Sequence, residues 1–511
     1  MAATAVGAGI LISRLAGLVR VSLFANYLGQ QTIEADAFTA AFRIPNLLQN
    51  LFGEGALSGA FIPIHSALRA RGEERAAAQA ARTFFALLTL VVSTIVLIGI
   101  LATPWIIPAL APGFTGAKRD LTIRLVRILF PGAGLLVASA WCLAVLNSHR
   151  KFLLSYTAPV AWNAAMIGCL LRFGGHTALD TLAVYLAWAS VIGSFLQFAV
   201  QAPLAFALSR HDGSMALTDP VRQAVRNFFP VLISRGAVQL NGYIDAMIAS
   251  LLPTGAVAAI SNAQLIYTLP VSLFGVSISA AELPAMSGDA ATGDGYGALR
   301  SRLESALRRL AFFVVPSAVA FAALGDVIAG ALLQRGRFTP EDAQIVWMIL
   351  AGSSAGLLAS TMGRLYAVAH YAIGDTKRPL RIALVRLACS SALGYAIAVV
   401  VPPRLGLDRM WGAAGLALSS GLVGWLEFIL LRRSLNERIG RTGVRAGYAT
   451  RLWTAAVAGA AIGYSVKLLL PPLDPILRGA LVLPAFGVVY LGMAFAMRVP
   501  MPGLGRGPGR V

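Results

Sequence analysis

One apolar segment near the amino terminus carries polar and charged residues at helical spacing. Its polar members are Asp36, Thr39, Arg43, Asn46, Asn50 and Glu54. At about 100° and about 1.5 Å per residue, they lie within an arc of roughly 80° and extend over about 27 Å, close to the hydrocarbon thickness of a bilayer. The pattern predicts a membrane helix, near 36–62, with one face that lines a water-filled cavity. A purely interfacial role for its two end carboxylates would leave the residues between them unexplained.

Arginines near this stripe indicate that the cavity binds an anion. Arg14 and Arg20 lie in the first apolar segment, and Arg43 lies within the stripe. The arginine fork matches the geometry of a phosphate group and does not lose its proton. Arg14 and Arg20 are about 120° apart on a straight helix, so Gly17 is a candidate bend; alternatively, Arg14 extends to the inner membrane surface. With few carboxylates nearby, a phosphate-bearing substrate is favoured over a cation or a sugar.

Further polar residues in apolar segments are candidates for the same cavity. In the second half of the chain these are Arg235, Gln239, Asp245 and Gln264. Pro45 removes a backbone hydrogen bond within the stripe helix, so a bend is expected there. The sequence contains no nucleophile–base pair, metal-ligand cluster or phosphate-binding loop, so we predict neither an enzyme nor an ATPase.

The composition indicates a membrane protein. Of 511 residues, 57% are hydrophobic and 13% are charged, whereas soluble domains carry about 25% charged residues. The net charge of +20 lies in short clusters between apolar runs, which argues against a nucleic-acid partner. Counting apolar runs of about 20 residues predicts an all-α polytopic protein of about 14 transmembrane helices.

Alternate loops between the predicted spans differ in positive charge. The richer set includes the arginines of 69–82 and 432–451. Because cytoplasmic loops carry the excess of Lys and Arg, both termini are predicted to be cytoplasmic.

A weak internal repeat divides the chain. The segment "LAPGFTGAKRDLTIRLVRILFPGAGL" from Leu110 is similar to "LLQRGRFTPEDAQIVWMILAGSSAGL" from Leu332. Six predicted spans separate the copies, as expected for two parallel six-helix lobes. The expected organisation is an amino-terminal lobe over 1–208, a cytoplasmic linker over 209–223, a second lobe over 224–440, and two extra helices with a short tail over 441–511.

Several motifs resemble those of a known family. They are "SRLAGLVRVSLFANYLG" at 13–29, "DAFTAAFRIPNLLQNLFGEGALSGAFIPI" at 36–64, "APGF" from 111, "LPVSLFGVSISAAELP" from 269 and "GDTKRPLRIA" from 374. Together these motifs resemble the MurJ/MviN family of lipid II flippases, within the multidrug/oligosaccharidyl-lipid/polysaccharide exporter superfamily. The resemblance covers nearly the whole chain and implies two six-helix lobes plus two C-terminal helices.

The resemblance also implies a function in peptidoglycan biosynthesis, and hence in cell shape. Such a protein moves lipid II from the inner to the outer leaflet of the bacterial cytoplasmic membrane by alternating access. The extra helices, here 452–497, would form a groove for the undecaprenyl tail. The implied partners are lipid II, membrane lipids and cell-wall synthases, with the chain as a monomer. No cofactor is implied, and membrane potential or a cation gradient would drive transport.

Individual residues match the family in part. Arg14 and Arg20 match its first-span arginines, and Asp36 and Glu54 match its second-span carboxylates. The family often has arginine at the positions of Gln49 and Leu265, so two cationic contacts are missing.

A sodium site is doubtful on the same comparison. Asp245 could match one of the sodium ligands of some members, but the partner positions hold Ser390 and Gly394. No metal is therefore expected.

We therefore assign expected roles to two groups of residues. The substrate-binding candidates are Arg14, Arg20, Arg43, Asn46, Asn50, Arg235 and Gln264, among which Arg43 and Arg235 would compensate for the missing arginines. The gating or orienting candidates are Asp36, Glu54, Gly17 and Pro45. Two alternatives stay open: a flippase for another polyprenyl-diphosphate-linked glycan, and a non-transporting membrane scaffold.

Overall fold

The computed structural model of the chain describes residues 2–52, 57, 60–210, 217–291 and 296–500, in which all the regular secondary structure is helical. The helices of the first half are α1 (Ala2–Leu28), α2 (Ile33–Phe52), α3 (Ile62–Ala70), α4 (Glu74–Leu110), α5 (Gly116–Ser148), α6 (Phe152–Phe173), α7 (Leu179–Leu208) and α8 (Asp219–Ser250). The second half contains α9 (Ala256–Pro270), a π-helical stretch (Val271–Val276), α10 (Ser277–Ala291), α11 (Gly297–Leu333) and α12 (Pro340–Ala372). It ends with α13 (Lys377–Tyr395), a second π-helical stretch (Ala396–Val400), α14 (Val401–Arg404), α15 (Trp411–Ile439), α16 (Ala446–Leu469) and α17 (Pro475–Ala496).

The predicted all-α polytopic membrane fold is confirmed. Among the described residues, 11 helices are long and apolar enough to cross a membrane. In that count, α9 and α10 form one continuous candidate, as do α13 and α14. Three more long helices, α1, α2 and α8, are not in that count, and each carries polar or charged residues of the predicted cavity. These fourteen segments agree with the predicted number of about 14, and the helix predicted near 36–62 corresponds to α2, which ends at Phe52.

Several helices are longer than a membrane span requires. The helices α4 and α11 each have 37 residues, whereas a span needs about 20. Their first turns, near 74–82 and 297–307, are polar. Hydropathy marks where a helix enters the apolar layer and does not mark where the helix itself begins.

The chain forms two compact units. Unit 1 comprises Met1–Val257 together with the short loop Arg335–Phe338, and unit 2 comprises Ala258–Gln334 and Thr339–Val511. The helix α8 falls in unit 1, where it contacts α2 and α4. This division lies beyond the expected linker at 209–223, and the lobe boundaries given above stay a prediction.

Helix lengths support the internal repeat. The consecutive helices α4 and α5 have 37 and 33 residues, and α11 and α12 have the same two lengths. A buried phenylalanine, Phe114 or Phe338, precedes the second helix of each pair. A threonine, Thr115 or Thr339, is the N-cap residue of that helix.

Each unit has its own packing. In unit 1, fully buried Trp141 of α5 donates from Nε1 to the Ala81 carbonyl oxygen of α4 at 3.1 Å. In unit 2, α16 and α17 pack on α11, and Lys467 of α16 pairs with Asp326 of α11 at 2.6 Å.

Candidate substrate-binding site

Arg20 on α1 is held by two uncharged side chains of α6. Its Nε donates to Asn163 Oδ1 at 3.1 Å, and its Cζ lies 4.9 Å from the centre of the Trp162 ring. Its two terminal nitrogens make no hydrogen bond to any other described residue. Within the described part of the chain, nothing neutralises the guanidinium, and its two terminal nitrogens are the ones that could bind an oxyanion.

The other two candidates on α1 are Arg14 and Gly17. Arg14 is exposed, whereas Arg20 is half-buried. The helix α1 is continuous through Gly17, which faces α6: a Cβ built at Gly17 would lie 3.9 Å from Asn163 Oδ1. A small residue at this position lets α1 approach the residue that contacts Arg20.

The polar stripe lies on the less buried face of α2. Thr39, Arg43 and Asn46 are half-buried and Asn50 is exposed. The opposite face, which includes Phe38, Ala41, Pro45 and Leu48, is buried. Neither Asn46 nor Asn50 forms a hydrogen bond within the described part of the chain, so both amides are available to a polar ligand.

Asp36 is an exception within the stripe. It is fully buried near the start of α2, where its Oδ2 lies 2.6 Å from Lys118 Nζ and accepts from the Gly255 backbone N–H at 2.8 Å. The Lys118 ammonium also lies 4.1 Å from the centre of the Phe114 ring. The Asp36 carboxylate is thus paired with an ammonium, so an orienting or gating role would act through this buried contact.

Arg43 is held by the backbone of α8. Its Nη1 donates to the Gly242 carbonyl oxygen at 3.5 Å, and Tyr243 Oη donates to the Arg43 carbonyl oxygen at 2.9 Å. Arg43, Tyr243 and Ser250 line a cavity of about 20 Å³. A cavity of this size holds about one water molecule, so a larger ligand would have to occupy the open side of the stripe.

The remaining candidates either have polar partners elsewhere or lie outside the residues that the structure describes. Glu54 is among the residues that the structure does not describe, and so is the side chain of Arg235 on α8. Gln264 is exposed in unit 2, and its Nε2 donates to Thr268 Oγ1 at 3.4 Å. The Asp245 carboxylate accepts from Asn241 Nδ2 at 3.1 Å. No group of three or more His, Cys, Asp or Glu residues suited to a metal ion occurs in the described part of the chain.

Sequence reasoning missed three residues of this site. They are Asn163, Trp162 and Lys118. Asn163 carries a signal that could have been used, since an asparagine in the middle of an apolar span is as unusual as the polar residues of α2. Which arginine it meets depends on how α1 packs on α6, and spacing within one helix cannot show this.

Comparisons with known sequences agree on one family. The family model described as "Lipid II flippase MurJ" matches residues 24–474. A "Probable lipid II flippase MurJ" of Rhizobium tropici is 32% identical over 97% of this chain and 91% of its own length. A "Lipid II flippase MurJ" of Burkholderia cenocepacia is 30% identical, with 95% of each chain covered.

Two solved structures share the fold. A lipid II flippase MurJ in an inward closed conformation has a TM-score of 0.77 at 21% identity and covers 96% of this chain and 98% of its own. An inward-facing multidrug resistance MATE family transporter of the MOP superfamily has a TM-score of 0.66 at 16% identity, covering 83% and 94%. The family model and both relatives span nearly the whole chain, and on this ground the chain belongs to the MurJ family of lipid II flippases.

Proposed function

We propose that this chain is a transporter that flips lipid II from the inner to the outer leaflet of the cytoplasmic membrane by alternating access. The observation that carries the proposal is Arg20, a cation within a membrane helix whose described partners are both uncharged. A cation in this setting favours binding of an anion over structural ion pairing, and a diphosphate matches the arginine fork. Family membership identifies the diphosphate as that of lipid II.

The other residues of unit 1 have supporting roles in this proposal. Arg43 supplies a second positive charge, and Asn46 and Asn50 supply amides for the polar headgroup. Arg14 and Arg235 are candidates for further positive charge, and Gln264 is a candidate for a polar contact with the headgroup. Asp36, Glu54, Gly17 and Pro45 are the candidates for orienting or gating, Gly17 by letting α1 pack closely on α6.

The proposal also covers the orientation of the protein, its tail site, its partners and its driving force, of which the last three rest on the family resemblance. Both termini are cytoplasmic because the loops richest in arginine lie on their side. The two C-terminal helices, near 452–497, hold the undecaprenyl tail. The chain acts as a monomer beside cell-wall synthases, and membrane potential or a cation gradient drives it.

A second candidate is a flippase for another polyprenyl-diphosphate-linked glycan. It is favoured by Gln49 and Leu265, which stand where the family often has arginine. A changed set of cationic contacts would suit a headgroup with a different charge or size, while the diphosphate site at Arg20 would be retained.

Complementation of a MurJ-depleted bacterium tests the proposal. We expect the wild-type chain to restore growth, and Arg20→Ala and Arg43→Ala to fail, because each removes a charge-assisted contact to phosphate of about 1.5–3 kcal/mol. Arg124→Ala is the control, since Arg124 is an exposed arginine on α5. Membrane abundance of each variant is measured by immunoblot.

The outcomes separate the hypotheses. Failure of a well-expressed wild-type chain in several hosts would argue for the second candidate. Rescue by all variants, Arg20→Ala included, would remove the arginine site from the mechanism.

A further inference from the structure

We propose that Asn163 and Trp162 on α6 are positioning residues that fix the Arg20 guanidinium so that its terminal nitrogens point to a diphosphate. The inference rests on the proposed function and deepens it, because it names the residues that organise the phosphate site. It is carried by the contacts that join α1, α6 and α7 within unit 1.

The amide of Asn163 has a defined orientation. Its Nδ2 donates to the Pro159 carbonyl oxygen at 3.1 Å, one turn earlier on α6. Since a carbonyl oxygen can only accept, the amide nitrogen must face Pro159 and Oδ1 must face Arg20. Only 5% of Asn163 is exposed, so water does not compete for either bond. The oxygen that receives Arg20 Nε is therefore held in place before any ligand arrives.

The Trp162 ring is fixed from two sides. Its Nε1 donates to Ser190 Oγ of α7 at 3.3 Å, and Ser190 is 4% exposed. The ring also contacts the Phe42 ring of α2, with centres 5.7 Å apart. A Cβ added at Gly193 of α7 would lie 2.9 Å from the Trp162 carbonyl oxygen, so α7 presses directly against this residue. The Trp162 ring, on whose face Arg20 lies, thus has little freedom to rotate.

These contacts orient Arg20 without neutralising it. The Asn163 amide oxygen accepts a hydrogen bond from Nε, and the Trp162 ring makes a cation–π contact worth about 0.5–2 kcal/mol. Neither partner carries a charge, in contrast to Asp36, which pairs with Lys118 within the same unit. A guanidinium that is aimed in advance and keeps its charge loses less entropy when it binds an oxyanion.

Binding measurements with two probes test the inference. The full-length chain in detergent is titrated with undecaprenyl diphosphate and with undecaprenol, which has the same chain but no phosphate. For Asn163→Ala we expect about five- to tenfold weaker binding of the diphosphate, which corresponds to about 1–1.4 kcal/mol and so to the loss of one hydrogen bond of ordinary strength. Binding of undecaprenol should be unchanged.

A double-mutant cycle separates positioning from a general structural role. If Asn163 acts through Arg20, Asn163→Ala should change diphosphate affinity by less than about twofold in an Arg20→Ala background. Asn163→Asp keeps the acceptor oxygen but pairs the charge of Arg20, so we expect it to weaken diphosphate binding at least as much as Asn163→Ala. This second variant also serves if Asn163→Ala does not fold.

Ser155→Ala is the matched control. Ser155 is fully buried on the same helix and donates to the Lys151 carbonyl oxygen at 3.3 Å, away from Arg20. The Ser155→Ala variant should bind both probes with the affinity of the wild-type chain.

Three results would overturn the inference. They are equal weakening of both probes by Asn163→Ala, a full effect of that substitution in the Arg20→Ala background, and a wild-type chain that does not prefer the diphosphate. Asn163-dependent diphosphate binding by a chain that fails in complementation would support the inference and count against lipid II as the substrate.

Discussion

At the scale of single residues, the charged residues Asp36 and Arg20 of unit 1 differ in the kind of partner that each has. Asp36 has a charged partner, Lys118, whereas the described partners of Arg20 are neutral. An ion pair stabilises a buried charge but also neutralises it, whereas uncharged partners leave the charge able to attract a ligand. The difference explains why two charged residues of neighbouring helices have different expected roles.

The Asp36–Lys118 pair predicts a stability effect. Lys118→Met leaves the fully buried Asp36 carboxylate without its ammonium, and removing one partner of a buried pair costs about 3–5 kcal/mol. We expect a clear fall in the thermal unfolding midpoint of the purified chain. Its exposed neighbour Arg119 provides the control, because Arg119→Met should leave the midpoint nearly unchanged. Adding Asp36→Asn to Lys118→Met should recover part of the loss, and equal midpoints for the two single variants would contradict this account.

Sequence spacing reveals some of these residues and not others. The stripe on α2 and Arg20 could be found because a polar residue in an apolar segment is costly and therefore conspicuous. Asn163, Trp162 and Lys118 acquire their roles from contacts with other helices. Those contacts join residues 82 to 143 positions apart, a separation at which helical periodicity has no predictive value.

At the scale of helices, close packing in unit 2 depends on small residues. Gly352 and Gly356 of α12 form a G-x-x-x-G pattern, which lets two membrane helices approach each other. A Cβ added at Gly356 would lie 2.2 Å from Gly421 Cα of α15, and one added at Gly352 would lie 2.6 Å from the Ala414 carbonyl oxygen. This signal is visible in the sequence itself.

Gly356→Ala should therefore destabilise unit 2. The added methyl group must separate the backbones of α12 and α15, at a cost of about 1–3 kcal/mol for overpacking. The measurement is the thermal unfolding midpoint of the full chain. Gly363→Ala on the same helix is the control, because its Cβ would meet nothing closer than 3.9 Å. A midpoint for Gly356→Ala at or above that of Gly363→Ala would show that the close approach is not required.

Helix positions were predictable because the bilayer imposes a minimum apolar length. The two π-helical stretches, Val271–Val276 and Ala396–Val400, could not be predicted from the sequence. A π-helical turn differs from an α-helical turn by one residue in its hydrogen bonding, and the apolar pattern of the sequence barely changes over so short a stretch.

At the scale of the whole molecule, composition and repetition constrain the fold. A chain with 57% hydrophobic residues must lie in a membrane, and the repeated helix lengths of 37 and 33 residues support the internal repeat. The division into compact units was less predictable. The helix α8 follows the polar segment near 209–221 and still belongs to unit 1, because it packs on α2 and α4. Loop composition does not determine which helices a given helix contacts.

The most direct test of the central claim is lipid II translocation by the purified chain in proteoliposomes. Fluorescent lipid II is placed in both leaflets, and its accessibility to a membrane-impermeant quencher or enzyme is followed over time. We predict that the wild-type chain equilibrates lipid II between the leaflets, that Arg20→Ala abolishes this activity, and that Arg124→Ala retains it. Translocation by Arg20→Ala at the wild-type rate, or no translocation by a folded wild-type chain with and without a membrane potential, would contradict the account.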